Sequence, residues 1–295
     1  CHAAFDLGSN TARGILGRPD EDGVVRVLAA DQRMTALGRG LEAGGGFERD
    51  ALDETVQFVA DTLQRWGSPG QVSAVATEAA RFASNTDELL AALLSEAGVQ
   101  AEVIEPREEA RLAWLGAFAV DPPITAAHPA LVDIGGRSVE AMTLEDGGLA
   151  AISRPLGARS FAESLPDSDL PWELYVVLHF PLIPVVLRDA IERVSGADVV
   201  VCTGGTAQAA ARLLEKRAVS ADEISGLLLE LGKLPLEERR ARMSFDPERA
   251  EIICAGLGIL GAFAAAAPGD EIIVSDGGVR EGLLLDRTGA ERLKW

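Results

Sequence analysis

Short apolar runs closed by turn residues recur along the chain, and they predict strands at residues 3–7, 12–16, 24–29, 72–76 and 101–104. Between them the apolar positions take a helical period. Residues 50–66 place Leu52, Val56, Phe58, Val59 and Leu63 mostly on one face, and residues 87–97 and 108–118 read as two further helices. A glycine-rich loop over 38–46 interrupts the series. Asp121-Pro122-Pro123 then breaks the pattern, and the first domain is expected to end there, at residue 121.

A second unit, residues 122–285, opens with strands at 130–134 and 138–144 around Gly135-Gly136-Arg137. The tail 286–295 is free to pack back on the first unit. The opening repeats the start of the chain: Phe5-Asp6-Leu7-Gly8-Ser9 and Val132-Asp133-Ile134-Gly135-Gly136 both read apolar, Asp, apolar, Gly, small. Duplicated α/β domains facing each other across a cleft account for such a repeat. Further along, Val201-Cys202-Thr203-Gly204-Gly205 and Val274-Ser275-Asp276-Gly277-Gly278 each run from a β-branched strand into paired glycines and a helix. Turns of this kind hold phosphate, because glycine admits an anion close to the backbone and the helix start points N–H groups at it.

Composition narrows the chemistry. The 295 residues are 47% apolar and carry a net charge of −19, with no basic face for nucleic acid. Lysine occurs only at 216, 233 and 294, none of them in a GxxxxGK[ST] loop, so bound anions need arginine, backbone N–H or a metal. Cys1, Cys202 and Cys254 are far apart and lack CxxC spacing, which fits a reducing cytoplasm without disulfide framework or zinc. His2, His128 and His179 show neither metal nor triad spacing. The longest uncharged apolar stretch, 252–267, is shorter than the ~18 residues of a membrane span and reads as a core helix.

An acidic protein that binds phosphate needs a divalent cation on carboxylates, together with local arginines. Asp6 and Asp133 precede the two glycine turns, and Glu140 lies on the strand that returns beside Asp133. Glu109 starts a helix, where the dipole favours a carboxylate that could orient water for in-line attack on phosphorus. Arg81 follows a strand end and Arg280 follows the last glycine pair, positions where ligands gather in α/β sheets.

In order, AAFDLGSNTARGILG, VATEAARFASN, EPREEARLAWLGA, LVDIGGRSVEAM, SRPLGARSFAE, VVCTGGTAQAAARL, RAEIICAGLGIL and IIVSDGGVREGLLL resemble the exopolyphosphatase and guanosine pentaphosphatase family over residues 3–286. The resemblance implies two ribonuclease-H-like α/β domains of the actin, hexokinase and Hsp70 type, with the active site in the interdomain cleft and no added C-terminal domains. It further implies Mg2+ or Mn2+, with Glu109 as general base and Asp6, Asp133, Glu140 and Glu109 as metal-site carboxylates. Gly8, Ser9, Asn10, Thr11 and Gly135, Gly136, Arg137, Ser138 become two phosphate loops. Arg81 and Arg280 then contact phosphate oxygens, and Gly204 and Gly205 line the far side. Two departures stand out: Arg137 occupies the place of a third glycine, and Glu78 that of a small or hydroxyl residue. Arg137 could block backbone approach and a positive φ, or could add a cation to a lysine-poor site.

Three functions follow as expectations. The first is a metal-dependent exopolyphosphatase that releases terminal orthophosphate from inorganic polyphosphate of short or moderate length, with guanosine pentaphosphate as a second substrate. The second is a non-catalytic sensor of guanosine tetraphosphate or polyphosphate, motivated by Arg137. The third, an ATP-dependent small-molecule kinase, fits the EEAR and SDGGVREG motifs less well. A cytoplasmic homodimer without nucleic-acid or membrane partner completes the expectation.

Overall fold

The computed structural model describes residues 1–21, 24–39, 41, 45–67, 69–120, 124, 126–145, 148–166 and 169–289. They form two compact units: Cys1–Ile124 with the segment that begins at Gly277, and Thr125–Asp276. The expected boundary at Asp121-Pro122-Pro123 lies outside the described residues.

In the first unit β1 (His2–Leu7), β2 (Thr11–Pro19) and β3 (Val25–Met34) make an antiparallel meander. Helix α1 (Arg49–Arg65) leads to β4 (Gln71–Ala76), and α2 (Glu78–Phe82) and α3 (Thr86–Ala97) lead to β5 (Ala101–Val103). The strand order is β3-β2-β1-β4-β5, with β4 and β5 parallel to β1. Side chains alternate across β1. Ala3, Phe5 and Leu7 pack with Leu52, Val56 and Phe58 of α1 and Leu89 and Leu93 of α3, whereas Ala4 faces Leu112 and Leu115 of α4 (Pro106–Ala119). Asp6 therefore falls on the α4 face of the sheet.

The second unit repeats the plan. Here β6 (Pro129–Ile134), β7 (Val139–Glu145) and β8 (Gly148–Arg154) form the meander. Helices α5 (Ala158–Ser164), α6 (Trp172–His179), α7 (Leu182–Val186) and α8 (Arg188–Val194) precede β9 (Val199–Thr203), which pairs in parallel with β6. After α9 (Gly205–Leu214) come β10 (Ala218–Ser220), α10 (Ala221–Gly232), α11 (Leu236–Arg242), α12 (Ile253–Ala264) and β11 (Glu271–Val274). The order β10-β11-β9-β6-β7-β8 contains the five-strand arrangement of the first sheet, with β10 added antiparallel at one edge. Helix α12 is buried along most of its length, as expected for 252–267.

Helix α13 (Val279–Thr288) returns to the first unit and packs along α4, its Leu283, Leu284 and Leu285 joining Leu112 and Leu115. The return begins at Gly277, earlier than the residue 286 expected from sequence, because this crossing is a backbone contact that admits no side chain. A Cβ on Gly116 would lie 1.9 Å from the Gly278 carbonyl oxygen, one on Gly277 2.0 Å from that of Gly116, and one on Gly282 1.9 Å from that of Leu112. Gly277 is thus in close backbone contact with Gly116, while a Cβ on Gly278 would meet nothing within 4 Å.

Two predictions follow from this packing. Gly282→Ala should destabilise the fold by about 1–3 kcal/mol through overpacking, whereas Gly226→Ala, in α10 with nothing within 4 Å, should stabilise it by about 0.5–1 kcal/mol; denaturant titration reads both. Burial also holds the His2 imidazole, 2.9 Å from Ser73 Oγ, below its ordinary 6.5. The unfolded chain then binds the proton more readily, so stability falls as pH drops through 6.5 toward the folded value. His2→Asn should flatten the dependence of the denaturation midpoint on pH between about 7 and 5.5.

Candidate active site

Each unit places an aspartate at the end of its first strand, ahead of a four-residue turn. In the first unit Asp6 stands opposite Arg13 across the β1–β2 pair; in the second Asp133 stands opposite Glu140 across β6–β7. The two hairpins superpose in pattern, Leu7 facing Ala12 and Ile134 facing Val139. They differ in the charge set beside the aspartate.

Both turns are held by their carbonyl oxygens. In the turn Gly8 to Thr11, the carbonyls of Ser9 and Asn10 accept from the N–H groups of Gly38 (2.6 Å) and Ala36 (3.0 Å), and Gly8 N–H donates to Thr11 O at 3.3 Å. In the turn Gly135 to Ser138, Gly135 O accepts from Ala158 N–H (3.0 Å) and Gly136 O from Arg159 N–H (2.7 Å) and Ser160 N–H (3.0 Å). The start of α5 is thereby consumed by the protein's own turn. In a planar trans peptide the N–H points away from the carbonyl. The amides of Asn10 and Thr11, and of Gly136 and Arg137, therefore aim away from the segments that pin their carbonyls, as an anion cradle requires. Gly157 permits the second anchorage: a Cβ there would lie 2.5 Å from Arg137 N and 2.6 Å from Gly136 O.

Arg137 is accommodated without backbone strain. Among the described residues only Ala36, Glu215 and Asp270 are non-glycines with positive φ, and neither Gly135 nor Gly136 takes a positive φ. The Arg137 side chain is 62% exposed, its nearest carboxylate Glu163 at 3.8 Å. The concern that a third glycine is needed here for its conformation is thus removed.

In the second sheet Asp133 lies between Glu140 of β7 and Thr203 of β9, its direct partners in register. Glu140 Oε1 accepts from Ser153 Oγ at 2.7 Å. Gly204 (φ +91°) carries the chain past this aspartate into α9; a Cβ there would lie 2.4 Å from Ile134 O and 2.9 Å from Asp133 Oδ1. Arg249 lies across the start of α9, oriented by Asp246 at 2.8 Å, and fills the space a side chain on Gly205 would need. Burial, reinforced by the Asp133 charge, raises the pKa of the Cys202 thiol, and burial pushes that of Cys254 up to about 11. Neither thiol is therefore ionised for nucleophilic attack near neutral pH.

In the first unit, Pro106 opens α4 and puts Glu109 in its first turn. Glu109 Oε2 accepts from Arg81 Nη1 at 2.8 Å, and the same Nη1 donates to Ile104 O at 2.8 Å. Arg81 is carried by α2, directly after β4. Arg280, which the sequence boundary put in the second domain, belongs to the first unit. Its guanidinium lies 3.5 Å from Glu281, a buried carboxylate that caps α13 by accepting from Gly278 N–H at 2.8 Å.

The donor set suits Mg2+ or Mn2+ in a particular way. Among the described residues no group of three or more His, Cys, Asp or Glu forms a metal cage. Magnesium needs none: it is commonly held by one or two carboxylates together with substrate phosphate and water. Asp133 and Glu140 are neighbouring carboxylates of that kind, and beside Asp133 the buried Thr203 Oγ1 makes no hydrogen bond among the described residues. The other two expected metal carboxylates, Asp6 and Glu109, lie in the first unit, where Glu109 is paired with Arg81.

Two meanders extended by parallel strands, each with an aspartate ahead of a pinned turn, define a duplicated ribonuclease-H-like α/β enzyme of the actin type that handles phosphate. The pattern of the Ppx/GppA phosphatase family matches residues 19–291, and the chain belongs to that family. It is a phosphoanhydride hydrolase. It is 27% identical to Exopolyphosphatase 1 of Mycobacterium leprae, over 97% of this chain and 89% of that protein. The crystal structure of the Aquifex aeolicus Ppx/GppA family member is similar with a TM-score of 0.81 and 28% identity, over 99% of this chain and 98% of that one. An exopolyphosphatase from Cytophaga hutchinsonii, at 21% identity and TM-score 0.78, shares the fold over 97% of this chain and 98% of that one.

Sequence reasoning missed three features of the site. Arg13 sits inside the quoted motif AAFDLGSNTARGILG, but only strand register puts it opposite Asp6. Arg249 likewise lies in a quoted motif, RAEIICAGLGIL, far in sequence from Gly205. The role of Gly157 was detectable only as a glycine ahead of a helix. Gly157→Ala should displace the second turn, lowering stability by about 1–3 kcal/mol and phosphate release by at least about tenfold, since a misplacement near 1 Å can cost up to 100-fold. Denaturation and initial-rate measurements on the same preparation test this.

Proposed function

We propose that this protein is a divalent-metal-dependent exopolyphosphatase, which removes the terminal orthophosphate of inorganic polyphosphate by attack of water and accepts guanosine pentaphosphate as a second substrate. The observation that carries the reading is the pair of pinned turns, each behind a strand-end aspartate, in a chain of this family. The exopolyphosphatase name of the mycobacterial relative supports the choice of substrate.

In this reading the outward amides of each turn are ligands for phosphate oxygens, and Arg81 and Arg280 of the first unit add charge-assisted hydrogen bonds. Glu109 accepts the proton of the attacking water, and Arg81, bonded to one of its oxygens, fixes the carboxylate's orientation. Asp133 and Glu140 are the carboxylates that hold the cation, beside the Thr203 hydroxyl. When bound, Mg2+ or Mn2+ neutralises phosphate charge and stabilises the leaving group. Gly204 and Gly205 line the phosphate site beside Asp133, and Arg249, packed on Gly205, adds a cation there. With a net charge of −19, the protein repels long polyanions, so chains of short or moderate length are preferred. The enzyme works in the cytoplasm as a homodimer.

Phosphate release from polyphosphate of defined lengths and from guanosine pentaphosphate, with Mg2+ or Mn2+, tests the reading. Glu109→Gln should lower the rate by about 100-fold to 10,000-fold with substrate binding retained. Binding by the wild-type chain without release under either metal would make it a sensor instead. Activity that rises steadily with chain length would overturn the length preference.

A further inference from the structure

Helices α6 and α7 run as one rod, Trp172–Val186, before the chain bends by 68° into Arg188–Val194. Tyr175, Phe180, Ile183 and Leu187 face inward and are buried in the core of the second unit. The opposite side is also apolar. Leu170, Leu174, Val177, Leu178, Leu182 and Val185 are between 40% and 67% exposed, and recur at steps of three and four residues along the rod. A helix apolar on all sides is covered on all sides in its working state. At these exposures the stripe amounts to roughly 600 Å2, the upper range for a lone monomer and near the ~800 Å2 per partner of a stable interface.

We infer that this stripe is the surface on which a second copy of the chain packs, about a twofold axis that sets the two rods antiparallel. The inference deepens the homodimer of the proposed function by naming its surface, and it is independent of the catalytic chemistry. Charge at the two ends of the stripe selects this occupant. Asp169 precedes the rod and Arg188 follows it; both are exposed, and neither makes an ion pair or side-chain hydrogen bond among the described residues. Antiparallel pairing brings Asp169 of each copy to Arg188 of the other, closing two equivalent ion pairs around an apolar centre, as a twofold interface requires. A hollow of about 850 Å3 beside the start of the rod, lined by Leu170, Trp172 and Ala255 but also by Glu173, Lys233 and Arg239, offers room for apolar and polar side chains of the second copy. A lipid surface suits the stripe less well. Interfacial helices carry several lysines and arginines on their polar margin, whereas among the described residues this rod has one free cation at its border, Arg188, against Asp169 and a Glu173 paired with Lys233, in a chain of net charge −19.

Sedimentation equilibrium of the full chain tests the interface. The wild type should sediment at twice the chain mass, and Val177→Glu with Leu182→Glu should sediment as a monomer with an unchanged circular dichroism spectrum. Asp169→Arg alone and Arg188→Asp alone should each weaken association by about tenfold, and the double exchange should restore it to within about threefold of wild type. The exchange pair acts on exposed termini of the stripe, so it reads the interface even if the glutamate variant misfolds. A wild type that is monomeric at about 50 μM, a dimer indifferent to all these changes, or sedimentation of the wild type with phosphatidylglycerol vesicles that the stripe variants abolish would overturn the inference. Phosphate release from the same samples keeps the readings apart: a dimer without release counts against the hydrolase alone, and release by a monomer against the interface alone.

Discussion

Two short turns whose carbonyl oxygens are held from behind are the constraint on which the remainder of the site depends. A backbone amide makes a good phosphate ligand only when its direction is set before the ligand arrives, since a free loop loses conformational entropy on binding. Here the segment that contains Ala36 and Gly38 sets the direction of the first turn, and the start of α5 that of the second. Everything nearby is small where it must be. Gly38 lies against Ser9, Gly157 against Gly136 and Arg137, and Gly204 against Ile134 and Asp133.

The duplication has been used asymmetrically. A shared hairpin delivers aspartate to the same strand position in both units, and cross-strand register then decides what accompanies it. Beside Asp133 the partner is Glu140, which makes a dicarboxylate suited to a hard cation; beside Asp6 it is Arg13, which brings positive charge. The first unit adds Arg81 and Glu109 as an ion pair at the start of α4. One scaffold thus yields one hairpin with two carboxylates side by side and one with a carboxylate beside an arginine.

Much of the fold was legible in the chain. The strands of the first meander, the first two of the second, α1, α3, α4 and α12, and the repeat itself carry clear periodicity or turn chemistry. The stretch between Gly148 and Val194 was not, for physical reasons. Pro181 and Pro184 interrupt the helical period, and residues 172–186 are apolar on both faces, so no moment marks the buried side. The contact of Gly277 with Gly116 was not legible either, for a related reason. Paired glycines after a strand serve a close anion, a close helix or both, and only tertiary structure shows that Gly277 lies against Gly116.

By itself the sequence determined the duplicated α/β plan, the reliance on carboxylates and arginines in a lysine-poor chain, and membership of a phosphatase family, because these are set by local spacing and by motifs that stay contiguous. Tertiary structure decided which groups meet: Arg81 with Glu109, Asp133 with Glu140 and Thr203, Arg249 with Gly205, and α13 with α4. It also decided that Arg137 needs no left-handed backbone. Such pairings depend on strand register and helix packing. Both are fixed by contacts between residues far apart in the chain, about which local periodicity carries no information.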